Sequence, residues 1–135
     1  MNKNILKSFA RGARRTLMEQ VTSKLNYVLT TDSAELRNKQ SQIELLKKQI
    51  AETSREEVVE KVAYTWFNRF AALRFMDANG YTPIKVVTPA VGFTAPELLA
   101  EAKKGHIDEN LPINRSKIND LLDGRIPARD PQNEV

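Results

Sequence analysis

Residues 57 to 81 constrain the fold more than any other stretch of this chain. They hold its only Trp, three of its five Phe and two of its three Tyr. Val58, Val59, Val62, Ala63, Trp66, Phe67, Phe70, Leu73 and Met76 recur at helical steps. Together they spread over most of a helix circumference rather than along one stripe. Ser54 with Glu57 three residues later forms a capping box that starts this helix. Ala78-Asn79-Gly80 supplies residues that take the left-handed conformation at its end. A helix so widely apolar has to be buried. The rest of the chain, or something the chain attaches to, is expected to cover it.

The preceding sequence offers two helices as cover. Leu6, Phe9, Ala10, Ala13, Leu17, Val21, Leu25 and Val28 predict a first helix over 4–29. Leu36, Ile43, Leu46 and Ile50 predict a second over 33–52. Its narrow seam suits an antiparallel hairpin with the first. Asp32 is the expected cap of the second helix, with Glu35 as its reciprocal partner. After Gly80 the segment Tyr81 to Pro89 is β-branched and bracketed by Pro83 and Pro89, so it is at most a short edge strand. Thr94 and Glu97 predict another capping box, opening a short helix that stops at Gly105. Asn114 or Ser116 opens a last short helix ending at Gly124. The expected class is mainly α: an N-terminal helical hairpin, a long buried third helix, then an irregular segment with two short helices. Residues 1–124 are expected to form one helical domain and 125–135 a linker. Asp130 to Val135 completes no element, so the chain reads as the front end of a longer protein.

Composition excludes several chemistries. No Cys is present, which removes disulfides, thiolate zinc sites and a cysteine nucleophile. The single His106 makes no His-rich metal site. No apolar run approaches the ~20 residues of a membrane span, and no signal sequence is evident. A cytoplasmic protein with no membrane partner is expected. The net charge of +4 says less than its distribution. Lys3, Lys7, Arg11, Arg14 and Arg15 fall within the first 18 residues, which contain no acid.

The long helix also carries a family resemblance. Val58 to Tyr81, with Trp66-Phe67-Asn68-Arg69-Phe70 at its centre, resembles the N-terminal region of the adenine-specific DNA methyltransferases of BREX phage-defence systems, the PglX family. Ala13-Arg14-Arg15, the turn Thr31 to Arg37, the segment Ala100 to Asp108, and Asp120-Leu121-Leu122-Asp123-Gly124 are similar too, so the resemblance spans nearly the whole chain. It implies a parent that moves a methyl group from S-adenosylmethionine to adenine N6. In such proteins the catalytic loop is Asn-Pro-Pro-Tyr/Phe, and a Gly-rich turn after a strand holds the cofactor. Neither occurs here; the 90s offer only Gly92 between Val91 and Phe93. The chain is therefore expected to bind no cofactor of its own and to be a non-catalytic helical region. Its implied partners are DNA, through the whole protein, its own methyltransferase domain, and other BREX subunits.

Two sets of residues are candidates for that role. The five N-terminal cations occupy an arc of about 120° beside the apolar stripe. Such a row can follow phosphates, each neutralised one adding salt-dependent affinity; a solvated face is the alternative. Trp66, Phe67, Arg69, Phe70 and Arg74 are the candidate interface with the catalytic domain, at spacing that favours packing over base stacking. Arg69 and Arg74 are candidates to pair with Glu60, Asp77 or acids of another domain. Other readings are a stand-alone helical DNA-binding module and a structural or interaction scaffold. A metal nuclease is disfavoured, because Glu101-Ala102-Lys103 falls in a short helix rather than on a strand.

Overall fold

The computed structural model describes residues 2–127. Most of the expected 125–135 linker lies outside them. The described residues form six helices: α1 (Lys3–Thr30), α2 (Ala34–Arg37), α3 (Gln40–Glu52), α4 (Arg55–Asn79), α5 (Glu97–Lys103) and α6 (Arg115–Leu122). The mainly α class read from the sequence is the class observed. The chain divides into two compact units, Met1–Ala71 and Ala72–Val135, and α4 supplies residues to both.

The first unit is a layer of helices over a small core. Its buried apolar side chains are Leu25 of α1, Leu36 of α2, Ile43 of α3, and Val58, Val59 and Ala63 of α4. Burying a Val, Leu or Ile side chain fully contributes roughly 1.5–3 kcal/mol, so these few positions carry much of the unit's stability. Two polar contacts show α1 and α4 running antiparallel: Arg55 donates to Asn26, and Arg14 pairs with Glu60. The seam predicted for the second helix is present, but the helix is broken in two. Asn38 closes α2, and the Lys39 backbone, at φ −114° and ψ 22°, leaves helical geometry before α3 begins.

The caps differ from expectation at two of the starts. Ser33, not Asp32, caps α2, its hydroxyl accepting from the Leu36 N–H. Asp32 instead receives Arg37 through two hydrogen bonds of 2.6 and 2.8 Å. That guanidinium holds the Asp32 carboxyl below its ordinary pKa. At α5 the cap position is Pro96, with no side-chain bond; the Glu97 N–H is satisfied by the Thr88 carbonyl and its carboxylate accepts from the Lys85 N–H. The expected starts hold elsewhere. Asn114 caps α6, and the Ser54 hydroxyl accepts from the Glu57 N–H at the start of α4. Ser54→Ala is therefore expected to cost about 1 kcal/mol, and Ser54→Gly a few tenths. Urea unfolding should show the difference as a shifted midpoint at constant slope.

The expected burial of the long helix holds only near its start. Val58, Val59 and Ala63 are buried, yet Val62 is 36%, Trp66 43% and Phe70 46% exposed. The cover within the first unit runs out for a geometric reason. The α3 helix has 13 residues against the 25 of α4, about 20 Å against about 37 Å. The start of α1 is likewise open, with Ile5 at 69% and Phe9 at 65% exposure.

The second unit is built around one buried carboxylate and one buried leucine among its described residues. Its one buried polar side chain among the described residues, Asp77, accepts from the Val86, Val87 and Thr88 N–H groups at 2.7, 2.9 and 2.8 Å, and from the Thr88 hydroxyl at 2.8 Å. The same 85–88 segment meets α5 through Leu98 N–H to Lys85 carbonyl. No strand forms among the described residues; the Pro-bracketed stretch yields an isolated bridge, Pro89 to Pro96. Leu121 of α6 is the buried apolar side chain among the unit's described residues. Its helices end as the sequence predicts. Gly80 at φ 64° lets the Tyr81 N–H reach back to the Met76 carbonyl, a closure that an L side chain there would strain.

Candidate functional site

The α1 cations begin at the positive end of the helix. Asn2 caps it, and its first turn carries no acid, so the macrodipole and five side chains share one sign. All five cations of α1 are exposed. Among the described residues Arg14 is the one engaged by an acid, Glu60, with both side chains more than half exposed. A pair so wetted contributes little stability and is screened by salt. Arg14 and Arg15 also line a shallow depression along α1 with Met18, Thr22 and Asn26. A second, deeper groove of about 740 Å³ lies between α1, the end of α3 and α4. Ala10 and Arg14 face Ala63, Tyr64 and Phe67 across it.

The candidate interface residues of α4 divide between the units. In the first, the Trp66 and Phe70 rings stand 5.5 Å apart, tilted by 32°, and the Arg69 guanidinium lies 5.2 Å over the Trp66 ring. Phe67 forms part of the groove wall. In the second, Arg74 donates to the Thr88 hydroxyl. The pairing read from the sequence is thus redistributed. Arg14 takes Glu60, Arg69 stacks on an aromatic face, and Arg74 reaches Asp77 only through Thr88.

Asp77 is the residue whose importance the sequence understated. Burial alone would raise its pKa. The Val86 and Val87 N–H groups and the Thr88 hydroxyl and N–H outweigh that and lower it to about 2. A signal was available: a carboxylate in the last turn of a helix opposes the macrodipole, so it needs another reason to be there.

No trio of His, Asp and Glu that could hold a metal is gathered among the described residues. Glu101 is occupied locally, meeting Lys104 at 2.7 Å and the His106 ring at 2.7 Å; both hold its carboxyl below the ordinary value. The described residues around Gly92 do not form the Gly-rich turn after a strand that would hold S-adenosylmethionine. The turn holding Gly92 follows no strand, and its Val91 and Phe93 neighbours point outward at 101% and 68% exposure. No helix among the described residues is long and apolar enough to cross a membrane.

Taken together, the described residues form a mainly helical region with a cation-rich first helix and partly open apolar faces. The chain is similar to the adenine-specific methyltransferase PglX of Lacticaseibacillus casei (strain Zhang), with 30% identity over 133 aligned residues. The match covers 76% of this chain and 11% of that protein. It bears out the family resemblance carried by the long helix. The chain thus spans about a tenth of the length of this relative. No family model matches the chain, and no solved structure matches it.

Proposed function

We propose that this chain is the non-catalytic helical N-terminal region of a PglX-type adenine-N6 DNA methyltransferase in a BREX phage-defence system. The observation that carries the reading is the similarity to PglX over three quarters of the chain. In this reading the whole protein supplies the S-adenosylmethionine site and the catalytic loop. Trp66, Phe67, Arg69, Phe70 and Arg74 pack against the methyltransferase domain, and Lys3, Lys7, Arg11, Arg14 and Arg15 follow DNA phosphates. The exposure of Trp66 and Phe70 supports the first role; the acid-free start of α1 supports the second.

The test is duplex-DNA binding measured across a salt series, with the chain and with the full-length parent. Each neutralised phosphate contributes a slope of about −0.9 in log K against log salt. Charge reversal at Lys7, Arg11 and Arg15 is expected to weaken binding across all sequences and to reduce the slope by about 1 for each phosphate no longer neutralised. No mobility shift at low salt, or a slope that the reversals leave unchanged, sinks the DNA-contacting role. Methyl transfer from labelled S-adenosylmethionine by the chain alone contradicts the non-catalytic reading.

A further inference from the structure

The positive face of α1 does not stop at its own last cation. Around the helix Arg11, Arg15, Thr22 and Asn26 fall within about 60° of one another. Arg15, Thr22 and Asn26 line the shallow depression along α1, and Arg11, Arg15 and Asn26 are exposed. At the far end of that line Asn26 accepts from the guanidinium of Arg55, the first residue of α4. Arg55 is exposed, and no acid pairs with it among the described residues. A guanidinium carries five N–H donors, and one side-chain oxygen leaves most of them open. The Asn26 bond thus sets on the exposed face of α1 a cation that belongs to another helix.

The nearby acids leave both ends of this line positive. Glu56 and Glu57 follow Arg55. At about 100° per residue they project from other sides of α4, and Glu57 lines the deeper groove instead. Glu19 is the acid lining the depression, and it falls between the two ends. Arg11 and Arg15 mark one end, Arg55 the other.

Spacing selects the ligand. The helix rises roughly 16 Å from Arg15 to Asn26. The major groove of a duplex is about 12 Å wide and the minor groove about 6 Å. Long arginine side chains on such a baseline reach both walls of the first and overshoot the second. We propose that α1 lies across the major groove of duplex DNA, with Arg11 and Arg15 on the phosphates of one strand and Arg55 on those of the other. Glu19 then faces the open groove, away from either backbone. This rests on the DNA-contacting role of α1 proposed above. It adds a further phosphate-binding residue from α4 and a preference for duplex, since a single strand offers no second backbone at a fixed distance.

The test is an anisotropy titration of the chain with a labelled duplex and with one of its strands, each between about 50 and 200 mM salt. On the duplex, Arg55→Gln is expected to flatten the slope of log K against log salt by about 0.9, so the wild-type advantage shrinks about threefold over that range. On the single strand the slope should not change. Arg55→Lys keeps the charge and should keep the duplex slope. The slope counts neutralised phosphates, which a merely structural role for Arg55 would not move. An unchanged duplex slope in Arg55→Gln, while reversal of Lys7, Arg11 and Arg15 still reduces it, overturns this inference and leaves the DNA-contacting role standing. An equal loss of slope on the single strand overturns the groove-spanning arrangement. So does equal affinity of the wild type for the two DNAs, a result that decides the matter even if circular dichroism shows Arg55→Gln unfolded. No binding of either DNA by the wild type sinks the inference together with the role it rests on.

Discussion

Replacing Asp77 by Ala is expected to be the most disruptive single change in the second unit. The backbone N–H groups of Val86, Val87 and Thr88 converge on this one carboxylate, and the Thr88 hydroxyl joins them. Removing it strands donors in a part-buried place, where each forfeits its partner without regaining full hydration. Asp77→Asn is expected to be nearly as harmful, because its amide NH₂ would be turned against other donors. The thermal midpoint should fall by about 10 °C or more. Amide exchange at Val86, Val87 and Thr88 should lose its protection in both variants.

The same carboxylate makes a prediction about pH. Its folded pKa is depressed, from 3.8 to about 2. Its contribution is therefore complete above the unfolded value and is lost as pH falls through the folded one. Wild-type stability should decline between pH 3.8 and about 2, and the gap between wild type and Asp77→Ala should close over that window. A gap that stays constant down to about pH 2 would show that the carboxylate's charge plays no part.

The second large effect is expected at Leu121, which is 2% exposed. Leu121→Ala should cost about 3 kcal/mol, combining lost transfer energy with the cavity left behind. Leu121→Met, of similar volume, should cost less than about 1.5 kcal/mol. Urea unfolding followed by circular dichroism measures both. Nearly equal costs for the two would mean that the site collapses around the smaller side chain. Context makes this loss severe. Phe75, Tyr81, Val91, Phe93, Leu111 and Ile113 in the same unit are all exposed, and its other apolar side chains among the described residues are at most half-buried, so Leu121 is the best-buried apolar group there.

Helix periodicity made the elements legible, and it failed where single side chains chose between competing bonds. The stripes of α1 and α4, the Ser54 and Asn114 starts, and the Gly80, Gly105 and Gly124 ends follow from local rules that act within a turn. The cap of α2 did not follow, because Asp32 and Ser33 are adjacent candidates and Arg37 claims the former. The break at Lys39 is likewise unmarked, since neither Asn38 nor Lys39 is a strong helix breaker. How much of α4 the chain itself covers was not legible for a different reason. Periodicity reports which face wants cover, while the extent of cover depends on how far the neighbouring helices reach. In the candidate site the row of cations was visible from charge alone. The groove beside it was not, because it arises from residues about 50 positions apart brought together only by the antiparallel crossing of α1 and α4.

That crossing has a consequence for how the chain is made. The hydrogen bonds described for the second unit link residues at most 14 positions apart, the widest being Arg74 to Thr88. The first unit brings together Arg55 with Asn26 and Arg14 with Glu60, separations of 29 and 46. A ribosome releases the amino end first. The stripe of α1 therefore emerges well before α4 can meet it, and through that interval it is open to any chaperone or neighbouring nascent chain. The second unit, built from bonds of shorter range, is expected to close sooner after its residues appear. Of the two units, the one synthesised first is thus the one that waits longer for its partners.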